Sequence, residues 1–553
     1  MAEGGSLQPD DETHEIKLQT DRLSYMQVEN ISGGFVFQVT DMTRLLRFLI
    51  LGTEGGTYYS GEKELKRESV QCIDRLMIQD RGVEVVKKIV EVSQAGRACK
   101  QNCTVYALAV CARSNDQNTK KAAYDALSTV CQIPTDLFAF IKFCEEFSAG
   151  TGWGRAHRRA IADWYNNFNE DVTTLAYKVT KFRRRHNWEH KDVIRLAHIY
   201  PASESLRLII RYLVRGLREA KRLQMPADVV ELDKWQKVYI YLEAVEKALH
   251  CTEESDIVEL IQKHGLVREH VPTPLLMSIP VWQALLKNMP MNATIRNLGK
   301  MGSLHMIEEG SEEEKIIVDR LQNKAALKKS KIHPFKILVA MKIYSKGMSE
   351  KGSLTWPRND NVVKALEEAY YMCFDNVEPT NKKYCLAVDV SGSMDTPMMG
   401  IESMTARDGA AAMMMLTART ESDFEVYAFC HKLDKIQIQK TDTMKKVLNK
   451  MSSLSFGSTN CSLPIIQALS DKKKFDVFIV YTDSETHFTE IHPSQALQQY
   501  RTKTGIKDAR MIVVGMASSG FTIADPTDPF MLDIVGFDSN APEAMRSFVE
   551  GQF

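Results

Sequence analysis

The chain has 553 residues, of which 44% are apolar and 26% charged, with 71 basic side chains balancing 71 acidic ones. That length accommodates two to four domains with sizeable cores, and the composition excludes a disordered or fibrous chain. The zero formal charge removes any global sign of a nucleic-acid or membrane partner, so local clusters have to supply one.

The N-terminal stretch MAEGGSLQPDDETHE is polar and acidic and has no apolar segment of the secretory type. Residues 1–30 read as a mobile tail. No apolar run approaches the ~18 residues a membrane helix needs. The 11 cysteines are odd in number, scattered and without a C-x-x-C pair, and no partner pair completes a zinc site around Cys99 and Cys103. They read as reduced thiols in an intracellular protein.

Residues 31–375 have helical texture almost throughout. The pattern predicts helices over 41–50, 63–79, 82–94, 103–112, 117–131, 134–146, 155–167, 171–185, 190–199, 203–223, 228–250, 279–288, 313–327, 332–345 and 360–373. Short connectors between so many helices suit stacked hairpins of a degenerate HEAT kind better than a single bundle.

The segment 178–222 is strongly basic. Arg207, Arg211, Arg215, Arg218 and Arg222 recur at helical spacing and form one stripe roughly 80° wide on a predicted continuous helix. Lys178, Lys181 and Arg185 repeat the pattern at i, i+3, i+7 on the helix before, and Lys191, Arg195 and His198 on the one between. Like charges at i, i+4 repel locally, and a polyanion would offset that cost. A solvated face with acidic neighbours from other helices is the alternative. Trp153 and Trp188 are candidates for base stacking, whereas Trp164 reads as core.

After the turn Asn376–Asn381 the texture changes. Apolar runs at 384–390, 424–429, 475–481 and 510–516 alternate with helical stretches at 403–419, 443–451, 462–470, 494–503 and 541–549. This is the pattern of a doubly wound α/β domain, 376–553, with a parallel sheet covered on both faces. Its first strand ends in Asp389-Val390-Ser391-Gly392-Ser393, at the carboxyl edge where ligands bind. The third ends in Thr482-Asp483, and the loop 455–460 offers Thr459. Asp389, Ser391, Ser393, Thr459 and Asp483 all present oxygen, which suits one hard divalent cation, magnesium or manganese. Ser391 stands where a haloacid-type phosphatase needs its second Asp, and no P-loop or G-x-G-x-x-G follows the strand. His487 and His492 follow in a loop of undetermined direction, so no general base is placed at the site.

D-x-S-x-S after a first strand resembles the metal-ion-dependent adhesion site of von Willebrand factor A domains. That resemblance implies direct coordination by Ser391, Ser393 and Thr459, contacts through water from Asp389 and Asp483, and an open position for an acidic protein ligand. Other segments resemble the TROVE module of the Ro 60-kDa autoantigen family. They are Phe35–Met42 with Arg44 and Arg47, Glu54–Tyr59, Arg159–Tyr165, Leu242–Lys247, Arg296–Met301, Ile332–Phe335 and Gly520–Pro526. The resemblance spans about residues 30–553.

It implies a HEAT-like α-α superhelical ring closed by the α/β domain, with no catalytic activity. The implied partners are Y RNA on the outer surface and the single-stranded 3′ ends of misfolded small non-coding RNA in the cavity. The implied setting is a monomeric protein in a ribonucleoprotein particle, cytoplasmic with some nuclear presence, acting in RNA quality control. Carried over by position, Lys181, Arg185 and His198 bind RNA; Arg207, Arg211 and Arg215 extend that set from the stripe. One departure stands out. The family's metal loop often reads G-G-T-D-C-S, and here it reads Gly457-Ser458-Thr459-Asn460-Cys461-Ser462, one negative charge fewer near the cation.

Overall fold

The computed structural model describes residues 16–51, 70–98, 100–148, 150–349, 353–374, 378–397, 404–452, 454, 457–487, 490–517, 519–538 and 540–552. The motif 54–59, Cys99, residues 1–15, the first part of the expected helix 63–79, the turn residues 376–377 and residues 455–456 of the metal loop lie outside them.

Among the described residues from Asp41 to Met372 the chain is mostly helical, and many of the helices pack on a neighbour in sequence. The helix Gln101–Ala112 sits at the centre of the first part. It is rich in Ala and Cys, every residue from Cys103 to Ala112 is buried, and it packs against Pro134–Glu146. Farther along, Glu204–Arg215 packs on Val229–Leu249, Glu254–His264 on Ile279–Lys287, and Pro334–Lys346 on Asp360–Met372. Late helices return to early ones: Lys331 Nζ, just after helix Lys324–Ser330, donates at 2.6 Å to the carbonyl oxygen of Gln94 at the end of helix Gly82–Gln94, across 237 residues of sequence, as a ring requires.

The strands are β1 (Gln27–Glu29), β2 (Phe35–Gln38), β3 (Arg184–Arg185), β4 (Trp188–Glu189), β5 (Lys383–Asp389), β6 (Asp423–Phe429), β7 (Leu433–Ile436), β8 (Val477–Thr482), β9 (Arg510–Gly515), β10 (Phe521–Thr522) and β11 (Met531–Val535). The main sheet has the order β11-β9-β8-β5-β6-β7, parallel except for β7 at one edge. Strand residues alternate between two cores. Leu386, Val388, Ile479, Tyr481, Ile512 and Val514 face the helix Ala406–Thr420 and belong to a core continuous with that of the ring. Cys385, Ala387, Phe478, Val480, Met511 and Val513 face the opposite side, with Leu497 and Ile465. This period of two, with both faces covered, is why the strands read as unbroken apolar runs.

Several expectations are corrected. Residues 17–30 are not a free tail. β1 and β2 form a small antiparallel sheet with β10, and Lys17 N donates to Gln495 Oε1 at 3.2 Å. The expected helix 171–185 ends at Lys181, and Arg185 lies on β3 of a hairpin, so it does not share a helix face with Lys178 and Lys181. His186 and Asn187 occupy the two-residue turn with φ of 52° and 64°, the twist-matched geometry for such a hairpin. The expected helix 203–223 breaks at Gly216, whose φ is 83°, into Glu204–Arg215 and Leu217–Ala220. Helices Glu254–His264 and Met291–Ser303 were not expected, nor were β7 and β11. No disulfide joins the described cysteines, and among the described residues no helix is long and apolar enough to cross a membrane.

Candidate cation site and basic face

β5 lies between β8 and β6, and the chain leaves it for β6 on one side and returns to β8 on the other. Such a reversal of strand order opens a crevice at the carboxyl ends, and Asp389 is the last residue of β5. Three loops converge there. In the first, Asp389 Oδ1 accepts from Ser391 N at 2.9 Å, and the hydroxyls of Ser391 and Ser393 are 3.1 Å apart. In the second, Asp483 Oδ1 accepts from Glu485 N at 3.0 Å. In the third, the Thr459 carbonyl accepts from His487 N at 3.3 Å and from the Thr486 hydroxyl at 3.4 Å, which ties it to the second loop.

All five predicted ligand residues are buried; Asp389, Ser391, Ser393 and Asp483 neighbour one another, and Thr459 is held beside the same loops through its carbonyl. Thr482, which the sequence placed next to the site without a role, donates its hydroxyl to Asp389 Oδ2 at 2.6 Å. Burial, reinforced by neighbouring Asp483, pushes the Asp389 carboxyl up to about 7, and burial pushes Asp483 upward as well. Glu485 rises to about 7 for the same reasons.

The donor set fits a hard cation. It holds two carboxylates and three hydroxyls, all oxygen, and Asp483 Oδ2 is buried with no hydrogen-bond partner. A divalent ion would offset the cost of two neighbouring buried carboxylates. No group of three or more His, Cys, Asp or Glu side chains poised for a metal occurs among the described residues, which sets this hydroxyl-rich arrangement apart from a zinc site. Asn460 has a structural task instead of a ligating one. Its Oδ1 accepts from Ser462 N at 3.0 Å and from the Ser462 hydroxyl at 2.6 Å, which shapes the entry to helix Leu463–Ser470. His492 points away from the cation site: its Nε2 bonds the Asp21 carbonyl at 2.8 Å under the N-terminal segment.

The basic residues occupy successive elements of the ring. Lys181 ends the helix Val172–Lys181; its Nζ donates to Tyr177 Oη at 3.0 Å and lies 5.2 Å from the centres of the Tyr177 and Phe182 rings. Arg185 is exposed on β3. His198 is exposed and closes helix His190–Ala197 in the left-handed conformation, with φ of 51°. Arg207 pairs with Glu204 at 3.3 Å. Arg211 and Arg215 are exposed and have no ion-pair partner among the described residues, whereas Arg222 pairs with Glu219 at 2.7 Å. The unpaired part of the predicted stripe is therefore Arg211 and Arg215.

Trp164 is core, as expected. Trp153 and Trp188 pack on each other with ring centres 5.7 Å apart, beside the hairpin that carries Arg185. Beneath that hairpin His190 is buried, with Nε2 on the Phe182 carbonyl at 3.0 Å and Nδ1 on Tyr165 Oη at 2.7 Å. It fixes the direction in which the basic chain leaves its helix.

A ring of helices sealed by a von Willebrand factor A-type domain, with a buried cluster of carboxylates and hydroxyls on the domain and arginines displayed on the ring, defines a two-module class of protein. The TROVE domain profile matches residues 28–342, and the Ro60 vWA domain profile matches residues 383–549. The chain is 37% identical over 604 aligned residues to a Caenorhabditis elegans protein named RNA-binding protein RO60, covering 98% of this chain and 93% of that one. A Deinococcus radiodurans protein of the same name is 34% identical, covering 97% of each chain. The crystal structure of the Deinococcus radiodurans RO (RSR) protein superposes with a TM-score of 0.68 at 33% identity, covering 93% of this chain and 100% of that one. The chain belongs to the Ro60 family.

Proposed function

We propose that this chain is a non-catalytic RNA-binding protein. In this reading its ring holds Y RNA on the outer surface and takes single-stranded 3′ ends of misfolded small non-coding RNA into its opening, in RNA quality control and stabilisation. Lys181, Arg185 and His198, extended by Arg207, Arg211 and Arg215, contact phosphates and bases. The observation that carries the reading is the display of Arg211 and Arg215 on an exposed helix face without acidic partners, in a chain whose full-length relatives are named for RNA binding. Exposed arginines without partners repel one another and are suited to bidentate phosphate contact. The test is titration of a structured RNA bearing a single-stranded 3′ tail at several salt concentrations. Affinity should fall steeply with salt, and reversing Lys181 and Arg185 to Glu should abolish binding. Unchanged affinity in that double variant sinks the assignment.

A second reading concerns the α/β domain. Magnesium, or manganese, held by Asp389, Ser391, Ser393, Thr459 and Asp483 recruits an acidic protein ligand that completes the coordination. The partnerless Asp483 Oδ2 at the sheet's crevice supports it. Pull-downs with and without chelator, and with Asp389→Ala, test it; a partner retained in all three conditions rules it out.

A further inference from the structure

A depression of about 530 Å³ opens between the end of helix Val172–Lys181, the β3–β4 hairpin, the start of helix His190–Ala197 and the break at Gly216. That volume lies within the ~300–1,000 Å³ range of small-molecule pockets. Its wall includes neither Lys181 nor Arg185. Arg183, Arg184 and Lys191 line its mouth together with Glu189; all four are exposed and none has an ion-pair partner among the described residues, so the mouth carries a net positive charge.

Deeper in, the character changes. Tyr212 is 6% exposed and lies with Val179 and Leu213 as an apolar wall. Tyr212 Oη donates to Glu246 Oε2 at 2.9 Å and receives Arg183 Nη2 at 3.4 Å. That bond uses one lone pair of Oε2 and fixes the carboxylate, which leaves Oε1 and the second lone pair of Oε2 to accept from a ligand. The break at Gly216 keeps the wall open, since a Cβ placed there would meet nothing within 4 Å.

The polarity of the pocket therefore runs from cations at the mouth to an aromatic wall and a carboxylate within. A phosphate at Arg184 and Lys191 with a flat ring against Tyr212 and Leu213 satisfies both ends. The carboxylate selects among rings: guanine alone of the four RNA bases presents two adjacent donors, N1–H and N2–H, on one edge. Resting on the RNA-binding reading above, we infer that this depression is a nucleotide pocket that takes one unpaired guanine nucleotide, with Glu246 reading the base and Arg184 and Lys191 holding its phosphate.

The test uses the full-length chain and two five-nucleotide single-stranded RNAs, all-U and U-U-G-U-U, with titrations of 5′-GMP and 5′-AMP alongside. The G-containing strand should bind at least tenfold tighter than all-U. Glu246→Gln should erase that difference while leaving the all-U affinity in place, and Arg184→Ala with Lys191→Ala should weaken both strands. A 6-thioguanosine in the middle position should photo-crosslink to peptides containing 179–191, 212–216 or 246.

Binding of 5′-GMP over 5′-AMP comparable to that of the oligonucleotide marks a site for the free nucleotide; preference seen only in the strand marks an RNA subsite. Equal affinity of the two strands for the wild-type chain, a preference that survives Glu246→Gln, or a crosslink elsewhere overturns the inference. Structured RNA is titrated in parallel. If it binds while the guanine preference is missing, only this pocket fails; if it does not bind, the RNA-binding reading fails with it.

Discussion

Asn30 and Thr486 join the first strands of the chain to the cation loop: Asn30 Nδ2 donates to the Thr486 carbonyl at 2.8 Å and to that of Ser484 at 3.3 Å. Its Oδ1 accepts from Gly34 N at 2.8 Å, and Ser32 donates its N–H and its hydroxyl to Glu485 Oε2, each at 3.2 Å. The tight turn between β1 and β2 is therefore the floor on which the loop carrying Asp483 rests. Asn30→Ala leaves two buried carbonyls short of a donor, at a cost of about 1–3 kcal/mol. Gly34→Ala should be at least as damaging, because its Cβ would stand 2.0 Å from the Thr486 oxygen. Both variants should melt earlier and bind Mn²⁺ more weakly, measured by thermal unfolding and by titration with Mn²⁺ alone. Unchanged melting and unchanged affinity would show that the turn does not support the loop.

Arg47 makes the corresponding connection from the ring. Its Nη2 reaches both carboxylate oxygens of Asp533, at 2.9 and 2.8 Å, its Nη1 donates to the Phe521 carbonyl at 2.9 Å, and its side chain is 1% exposed. Arg97 bridges the same two parts through Asp538. Removing one partner of a buried pair costs about 3–5 kcal/mol, since the other charge stays behind. Arg47→Ala should therefore lower the unfolding midpoint and split one cooperative transition into two. A single transition at the wild-type midpoint contradicts it.

Much of this was legible in the chain, for physical reasons that differ by region. The parallel strands announce themselves because burial on both faces leaves no polar position, and the helix-bounded runs at 384–390 and 510–516 match β5 and β9 within a residue at each end. The convergence of loops at the carboxyl edge was legible because Asp389, Ser391, Ser393, Thr459 and Asp483 each sit at a strand end or in a loop bound to one. The N-terminal strands were missed because β1 and β2 are only three and four residues long, and β2 takes its other partner, β10, from the far end of the chain. Period counting cannot see such a partner. The first strand of the hairpin, 184–185, was absorbed into the expected helix 171–185 because its basic residues fit helical spacing. His186-Asn187 was the available signal, as Asn tolerates the left-handed geometry that a two-residue turn requires. The break at Gly216 was likewise available from the glycine itself.

Ion pairing separates the arginines on either side of that break into two groups with different expected effects. Arg211 and Arg215 have no acidic partner among the described residues, whereas Arg207 has Glu204 and Arg222 has Glu219. Arg211→Ala with Arg215→Ala should weaken structured-RNA binding by roughly tenfold and make the salt dependence shallower by about two released counterions. Arg218→Ala with Arg222→Ala should change it by less than threefold. Equal effects from both pairs would falsify the division. Filter binding at a series of salt concentrations provides the measurement.

The proposed cation site makes a prediction with opposite signs in two conditions. Asp389 and Asp483 are both buried, and burial drives both carboxyls upward. Asp389→Asn removes one buried charge, so in chelator the variant should melt at or above the wild-type temperature. In excess Mg²⁺ the order should reverse, because only the wild-type chain gains RT ln(1 + [L]/Kd) from the ligand. Melting curves in chelator and in millimolar Mg²⁺ check both halves. A wild-type chain that Mg²⁺ does not stabilise removes the cation from the site.

Acid should loosen the ring at His190. Burial holds its imidazole down to about 4, with Nε2–H donated to the Phe182 carbonyl and Nδ1 accepting from the Tyr165 hydroxyl. The unfolded chain binds a proton at this residue near the ordinary value of 6.5, so between 6.5 and 4 the unfolded state holds more protons than the folded one. The contribution is fully present above pH 6.5 and is lost as pH falls through that window, on the order of 2 kcal/mol by pH 5. His157 and His333, both held to about 3, and His270, held to about 4, act in the same direction. Urea unfolding at pH 7 and pH 5 should show a marked drop in stability for the wild-type chain and a smaller one for His190→Gln, which keeps a donor for Phe182 and cannot take up the proton. The hairpin hangs from this histidine, so amide exchange across residues 182–190 should accelerate first. Uniform acceleration throughout the ring, with no lead at the hairpin, would assign the acid sensitivity to the other buried histidines instead.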